Sequence, residues 1–226
     1  MIDAIFVPRG AEEGAVRSAL ARARADVRVV VMGIGPAAAA RAADGILAAM
    51  RPRNALVAGL CGLLSPAFVV GDTLVYREIA RAGERPLVLE PALGDAVAAR
   101  VPGAQTGIRA LASERIVGLA VEKLALGRET GADAVDMESY DVAVRLQRAG
   151  IATAVVRVAS DGVADDLPDL AAALDGAGGV DGRRLAIAML RRPRAGAALA
   201  RNGMRALRDL RRAVYAIVAA SGDVAS

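Results

Sequence analysis

Residues that could do chemistry cluster in two short acidic segments. These are Asp136-Met137-Glu138-Ser139, and Ser160-Asp161 at the end of the apolar run Thr153-Ala154-Val155-Val156-Arg157-Val158-Ala159. The run is long enough for a buried strand, so Asp161 falls where a strand leaves the core. Open α/β sheets bind their ligands at such strand ends. Glu138 falls at the start of the preceding helix. The chain has no histidine, so general acid and base work is left to Asp, Glu or water. Arg157, inside the apolar run, requires a buried partner, and Glu138 or Asp136 can serve.

Each acid also has a plain structural role open to it. Asp136 can cap the helix that follows, and Glu138 suits the positive end of that helix dipole. Asp161 can close an Asx turn. Gly33-Ile34-Gly35 alone lacks the third glycine of a dinucleotide fingerprint.

The elements that must position these groups alternate along the chain. Strands are expected over Ile2–Val7, Val27–Met32, Asn54–Ala58, Gly71–Tyr76, Ala104–Leu111 and Asp133–Val135. Helices are expected over Ala11–Arg24, from Pro36 to near Met50, over Ile116–Arg128 and over Glu138–Arg148, the last stopped by Gly150. Pro36 in a first turn suits its missing N–H, and Gly59-Leu60-Cys61-Gly62 reads as a tight turn. Such alternation predicts an α/β fold, a three-layer domain with a central mixed sheet flanked by helices, over residues 1–226. Asp166–Gly182 reads as a surface excursion. A basic amphipathic helical tail follows at about 183–220, its second helix running from about Arg194 to Ala220. There Leu199, Leu207, Leu210, Val214 and Ile217 form an apolar stripe, and Arg201, Arg205, Arg208 and Arg212 lie away from it.

Composition narrows the function classes. The chain is 55% hydrophobic but only 2% aromatic, which argues against disorder and for an aliphatic core. A single cysteine, Cys61, and the lack of histidine argue against a disulfide and a transition-metal site. No apolar run reaches the ~18 residues of a membrane span, and the amino terminus lacks a signal pattern. A metal-free cytoplasmic protein is expected. The net charge of +4 is mostly arginine, concentrated after Arg183.

The order of the motifs adds specificity. The segments Gly33-Ile34-Gly35, Gly59-Leu60-Cys61-Gly62-Leu63-Leu64, Val70-Gly71-Asp72, Val135-Asp136-Met137-Glu138 and Val156-Arg157-Val158-Ala159-Ser160-Asp161 resemble the nucleoside phosphorylase and nucleosidase superfamily. Within it the chain looks most like the hopanoid-associated phosphorylases, through Thr130–Ser139 and the tail around Leu190-Arg191-Arg192-Pro193. The methylthioadenosine/S-adenosylhomocysteine nucleosidases share the core motifs.

The resemblance implies cleavage of a purine nucleoside's N-glycosidic bond through an oxocarbenium-like transition state. Asp161 matches the acid on the purine, oriented by Ser160. Glu138 matches the carboxylate that accepts from ribose hydroxyls, and Met137 would pack on sugar or base. Ile116 and Val117 match the segment that holds the base. Glu13 aligns with the acid that activates water, with Glu12 competing for that role, and an exposed helix start is the plain alternative for both. Phosphorylases of the superfamily hold phosphate with Arg and Ser or Thr around the glycine turn. Here Gly59 to Gly62 offers only backbone N–H groups, helped by Arg9, so water is favoured, with phosphate left as an optional co-substrate and no other cofactor. The resemblance also implies a homo-oligomer. The tail is expected to dock on its own domain; its arginine face suits peripheral contact with anionic lipid. Nucleic acid is not an expected partner, because aromatic stacking platforms are nearly absent.

Overall fold

The computed structural model describes residues 2–173, 179 and 181–219. Long runs of Val, Ile, Leu and Ala form the strands β1 (Ala4–Pro8), β2 (Arg28–Met32), β3 (Asn54–Leu63), β4 (Thr73–Ala80), β6 (Gln105–Ala112), β7 (Ala134–Asp136) and β8 (Ala152–Asp161). The helices are α1 (Ala11–Ala23), α2 (Pro36–Ala49), α3 (Pro91–Ala98), α4 (Ala120–Thr130), α5 (Ser139–Arg148), α6 (Gly182–Arg191) and α7 (Pro193–Ala219). The short strand β5 (Leu87–Val88) and helix α3 have no counterpart in the sequence-based expectation.

The eight-stranded sheet is ordered β2-β1-β3-β7-β6-β4-β5, with β8 pairing both β3 and β4. The pairs β1–β2, β1–β3, β3–β8, β4–β6 and β6–β7 are parallel, while β3–β7, β4–β8 and β4–β5 are antiparallel. The sheet is therefore mixed, as expected. Strands β3, β8, β4, β6 and β7 also close a circuit, each pairing with the next and β7 returning to β3. That closure gathers the ends of β3, β7 and β8 around one point.

Strand alternation divides the core. Ala55, Val57, Cys61 and Leu63 of β3 pack with Ala39 and Ile46 of α2 and with Val142 and Leu146 of α5. Leu56 and Ala58 face the opposite layer, with Val16 and Leu20 of α1, Val97 of α3 and Leu210, Val214 and Ile217 of α7. The tail helix thus docks on its own chain, and Arg201, Arg205, Arg208 and Arg212 remain exposed. Leu199 and Leu207 of the expected stripe are only half-buried, and the expected end at Ala220 lies outside the described residues.

Three local expectations are corrected. The Gly59–Gly62 segment is not a turn: β3 continues through it, in parallel register with β8 as far as Gly62 opposite Asp161. Ile116–Leu119 is not helical: α4 begins at Ala120, whose N–H donates to Asp166 Oδ1 at 2.8 Å. The excursion after Asp166 is not wholly superficial, because Leu167 and Pro168 are buried and the Leu167 N–H donates to Gly118 O at 2.8 Å. Part of that excursion, 174–178 and 180, lies outside the described residues.

Candidate functional site

At the centre lies Arg157, a guanidinium with 0% exposure on the face of β8 that looks toward α5. Its Nε and Nη2 donate to Ser139 Oγ at 3.1 and 2.9 Å, and Nη1 donates to Leu60 O at 3.3 Å. Nη2 also lies 3.3 Å from Asp136 Oδ1 and 3.4 Å from Glu138 Oε2, so both expected partners are present. Burial alone would lower the guanidinium's pKa, but Asp136 and Glu138 outweigh it and hold the group charged. Room for it comes from Gly59, where an added Cβ would run into Arg157 Nη1 and come within 2.6 Å of Glu12 Oε1.

Asp136 fills the capping role open to it. Its Oδ1 accepts from the N–H groups of Glu138 and Ser139, at 3.0 and 2.8 Å, at the start of α5. That turn points the Glu138 side chain back across the sheet, where Oε1 accepts from the Gly35 N–H at 3.0 Å. Gly35 takes a φ of 94° at the N-cap of α2, a conformation natural to glycine. Burial, opposed by Arg157 and reinforced by Asp136, raises the Glu138 pKa.

The structure separates the two candidates at the start of α1. Glu12 turns inward, and its Oε1 accepts from the Leu60 N–H at 2.7 Å. Burial pushes its pKa up to about 7, with Arg157 opposing and Glu138 adding to the rise. Glu13 instead pairs with Arg17 at 2.8 Å and does not line the cavity that Glu12 lines. Of the two, Glu12 faces the cavity and Glu13 faces away from it. Arg9 does not line the cavity either.

That cavity, of about 250 Å³, opens between the ends of β3, β7 and β8. Glu12, Asp136, Met137, Glu138, Ser160 and Asp161 line it, with Gly62, Ile116 and Val117 beside them. Gly59 does not line it and acts from beneath, by leaving space. Asp161 sits at the end of β8 beside Gly62, where an added Cβ would meet Asp161 Oδ2 at 3.0 Å. Its Oδ1 lies 2.8 Å from Ser160 Oγ, which is also 3.1 Å from Cys61 O. Burial raises the Asp161 pKa, while Lys123 and Ser160 pull the other way.

Lys123 is the polar partner that sequence reasoning missed. Its Nζ donates to Asp161 Oδ2 at 2.5 Å. Pro8, Ile34, Leu60, Leu167, Leu170 and Leu199 add to the lining, with Cys61, Arg115 and Val135. The sequence alone assigns the aliphatic residues among them no role at a site, and it points Leu199 only toward docking the tail. Among the described residues no cluster of His, Cys, Asp or Glu could hold a metal ion.

The sequence pattern of the phosphorylase superfamily matches residues 7–177. The chain belongs to that superfamily. The matched span includes every acid around the cavity, and membership agrees with the expected class of glycosidic-bond-cleaving enzymes. No curated protein matches the chain by sequence.

Solved structures share the phosphorylase-superfamily fold at low identity. The chain is similar to futalosine hydrolase of Helicobacter pylori, with 13% identity, a TM-score of 0.72, and 96% of this chain and 97% of that one covered. It is similar to the 5′-methylthioadenosine/S-adenosylhomocysteine nucleosidase of the same organism, solved with butyl-thio-DADMe-Immucillin-A. There identity is 15%, the TM-score 0.70, and coverage 96% and 98%. The nucleosidase of Neisseria meningitidis, in complex with methylthio-immucillin-A, gives 15%, 0.71, and 97% and 100%.

Proposed function

We propose that the protein hydrolyses the N-glycosidic bond of a purine nucleoside, adenine by preference, that carries an apolar 5′ substituent. The observation that carries this reading is the convergence of Glu12, Glu138 and Asp161 from three separate elements on one cavity. Glycosidic cleavage needs an anchor for the sugar, an acid for the leaving group and an activated nucleophile.

Each role fits the local chemistry. Glu138, fixed by Gly35 and Arg157, accepts hydrogen bonds from ribose hydroxyls and favours positive charge on the sugar. As the bond from C1′ to the purine breaks, its electron pair enters the base and Asp161 gives a proton to nitrogen 7. Water adds to C1′ and passes its proton to Glu12, whose pKa of about 7 matches base work near neutrality. Backbone and aliphatic groups of Ile116 and Val117 flank the base. Met137, Ile34, Leu167, Leu170 and Leu199 supply apolar lining for the 5′ group.

Support for water over phosphate comes from β3. The Leu60 N–H, which an anion-binding turn would offer, is taken by the Glu12 carboxylate, and a carboxylate there repels phosphate. A bulky lipid-like 5′ group, as in the hopanoid-associated branch, and a small thio group, as in the methylthioadenosine nucleosidases, are the two substrate types to separate. The exposed arginines of α7 support peripheral contact with anionic headgroups. With the apolar face of α7 packed on its own chain, that contact is electrostatic and weakens with salt.

One observation favours a second reading, a nucleoside-binding protein without turnover: both oxygens of Asp161 already have partners. Base release from adenosine, methylthioadenosine and a long-chain 5′-alkyl adenosine, with and without phosphate, tests both readings. Adenine without phosphate is the expected product. A strict phosphate requirement would overturn hydrolysis, and no release from any substrate would favour the binder.

A further inference from the structure

Lys123 is the only lysine in the chain, and its side chain has 0% exposure. It is also the one buried residue of α4. A strongly hydrated ammonium is costly in such a place, where a leucine would fill the space without desolvation. Its three N–H bonds are all used: Asp161 Oδ2 at 2.5 Å, Gly162 O at 3.1 Å and Asp165 O at 3.0 Å. No donor remains for a ligand, and Lys123 does not line the cavity. Whatever it does for chemistry, it does through Asp161.

We infer that Lys123 is a positioning residue for the acid step: its ammonium aims the Asp161 carboxyl and governs the release of its proton to the leaving base. This rests on the reading of Asp161 as that acid. As the glycosidic electron pair enters the base, the Asp161 O–H bond breaks and the nitrogen 7–H bond forms. The carboxylate left behind gains full negative charge beside a fixed cation, so Lys123 stabilises the product of proton transfer as it develops. Solvent restores the proton after the base leaves.

Other charged groups around Asp161 do not substitute for it. Asp165, from the following loop, is a like charge, and its Oδ2 is engaged by the Gly162 N–H at 2.8 Å and by Asn202 Nδ2 of α7 at 3.4 Å. Asp136, Glu138 and Glu12 line the same cavity as further acids, and Cys61 of β3 as a buried thiol. Arg115, also on the cavity wall, pairs with Glu122. Lys123 is thus the only cation in direct contact with Asp161 among the described residues. Burial pushes the acid to keep its proton and Lys123 opposes that; without the lysine, Asp161 would hold the proton more tightly and donate it less readily.

The test compares wild-type protein, Lys123→Met and Lys123→Arg by the pH profile of kcat/KM on the best nucleoside of the panel. The Asp161 carboxyl is titrated by infrared difference against Asp161→Asn in substrate-free protein. Lys123→Met should lower kcat about tenfold or more with KM little changed. It should also move the falling limb and the carboxyl band to higher pH, by about one unit. Lys123→Arg should hold both near the wild-type position. Lys123→Gln replaces the methionine variant if that variant does not fold. A limb and a band that stay in place in a folded, uncharged variant would overturn the proposal, leaving the lysine as a clamp on the 162–165 loop. A band that moves in a protein whose wild type releases no base would sink the acid reading, and the acid step with it.

Discussion

The acid roles turn on individual side chains, and Asp161 carries the sharpest expectation. Asp161→Asn should lower kcat by about 10²–10⁴-fold, the range of a general acid, with the protein still folded by circular dichroism. Unimpaired base release in that variant would remove Asp161 from the mechanism. Glu12 makes a second prediction through its raised pKa of about 7. In the proposed base role it works ionised, so kcat/KM should rise with pH through about 7, and Glu12→Gln should abolish that limb where Glu13→Gln leaves it. The same shift has a stability sign. A carboxyl whose folded pKa lies above its unfolded value favours folding while protonated and loses that contribution as pH rises through about 7. Glu12→Gln keeps an acceptor for Leu60, so it should raise Tm relative to wild type at pH 8 more than at pH 5. A pH-independent difference in Tm would contradict the buried placement.

At the scale of elements, β3 decides how closely charges can approach the sheet. Gly59→Ala would drive a methyl into Arg157 and Glu12, and overpacking of this kind costs about 1–3 kcal/mol. Denaturant melts should show a loss of that order, together with lost activity. Arg157→Met should cost more, about 3–5 kcal/mol, because Asp136 and Glu138 would stay buried without their cation. A near-neutral Arg157→Met in urea unfolding would mean that the acids relax or protonate freely.

These elements also show what the sequence could reveal. Apolar runs such as Val155–Ala159 announce strands, so the sheet and the end of β8 were legible, as were the Arg157 partners. Gly59 and Gly62 mislead because glycine usually marks a turn, whereas here their missing side chains make room for Arg157, Glu12 and Asp161. Adjacent helix residues point about 100° apart, so the choice between Glu12 and Glu13 depends on how α1 enters from Gly10. Gly10 takes a φ of 104°, and no local sequence pattern reports that angle. Lys123 gives no local signal of its burial, because its partner stands 38 residues away. Leu87–Val88 is too short a pair to announce a strand.

For the whole molecule, α7 both completes the core and presents a charged surface. Leu210→Ala, which would hollow the contact with α1 and the sheet, should cost about 2–5 kcal/mol. Replacing exposed Arg201 and Arg208 with serine should change stability by no more than about 0.5 kcal/mol. Those same substitutions should reduce co-sedimentation with anionic vesicles at low salt, and wild-type binding should itself fade at high salt. Binding that survives high salt would mean an apolar insertion that the docked helix does not provide. No helix among the described residues is long and apolar enough to cross a membrane.

In the proposed reaction Glu12 and Asp161, brought to one cavity by α1 and β8, cleave a purine nucleoside with water. The decisive measurement is single-turnover base release from a 5′-alkyl adenosine in phosphate-free buffer, with wild type, Glu12→Gln and Asp161→Asn run side by side. Rapid adenine release by wild type, slowed at least about a hundredfold in each variant, is the predicted result. Equal rates in all three proteins, or no adenine from the wild type, would overturn these roles for Glu12 and Asp161.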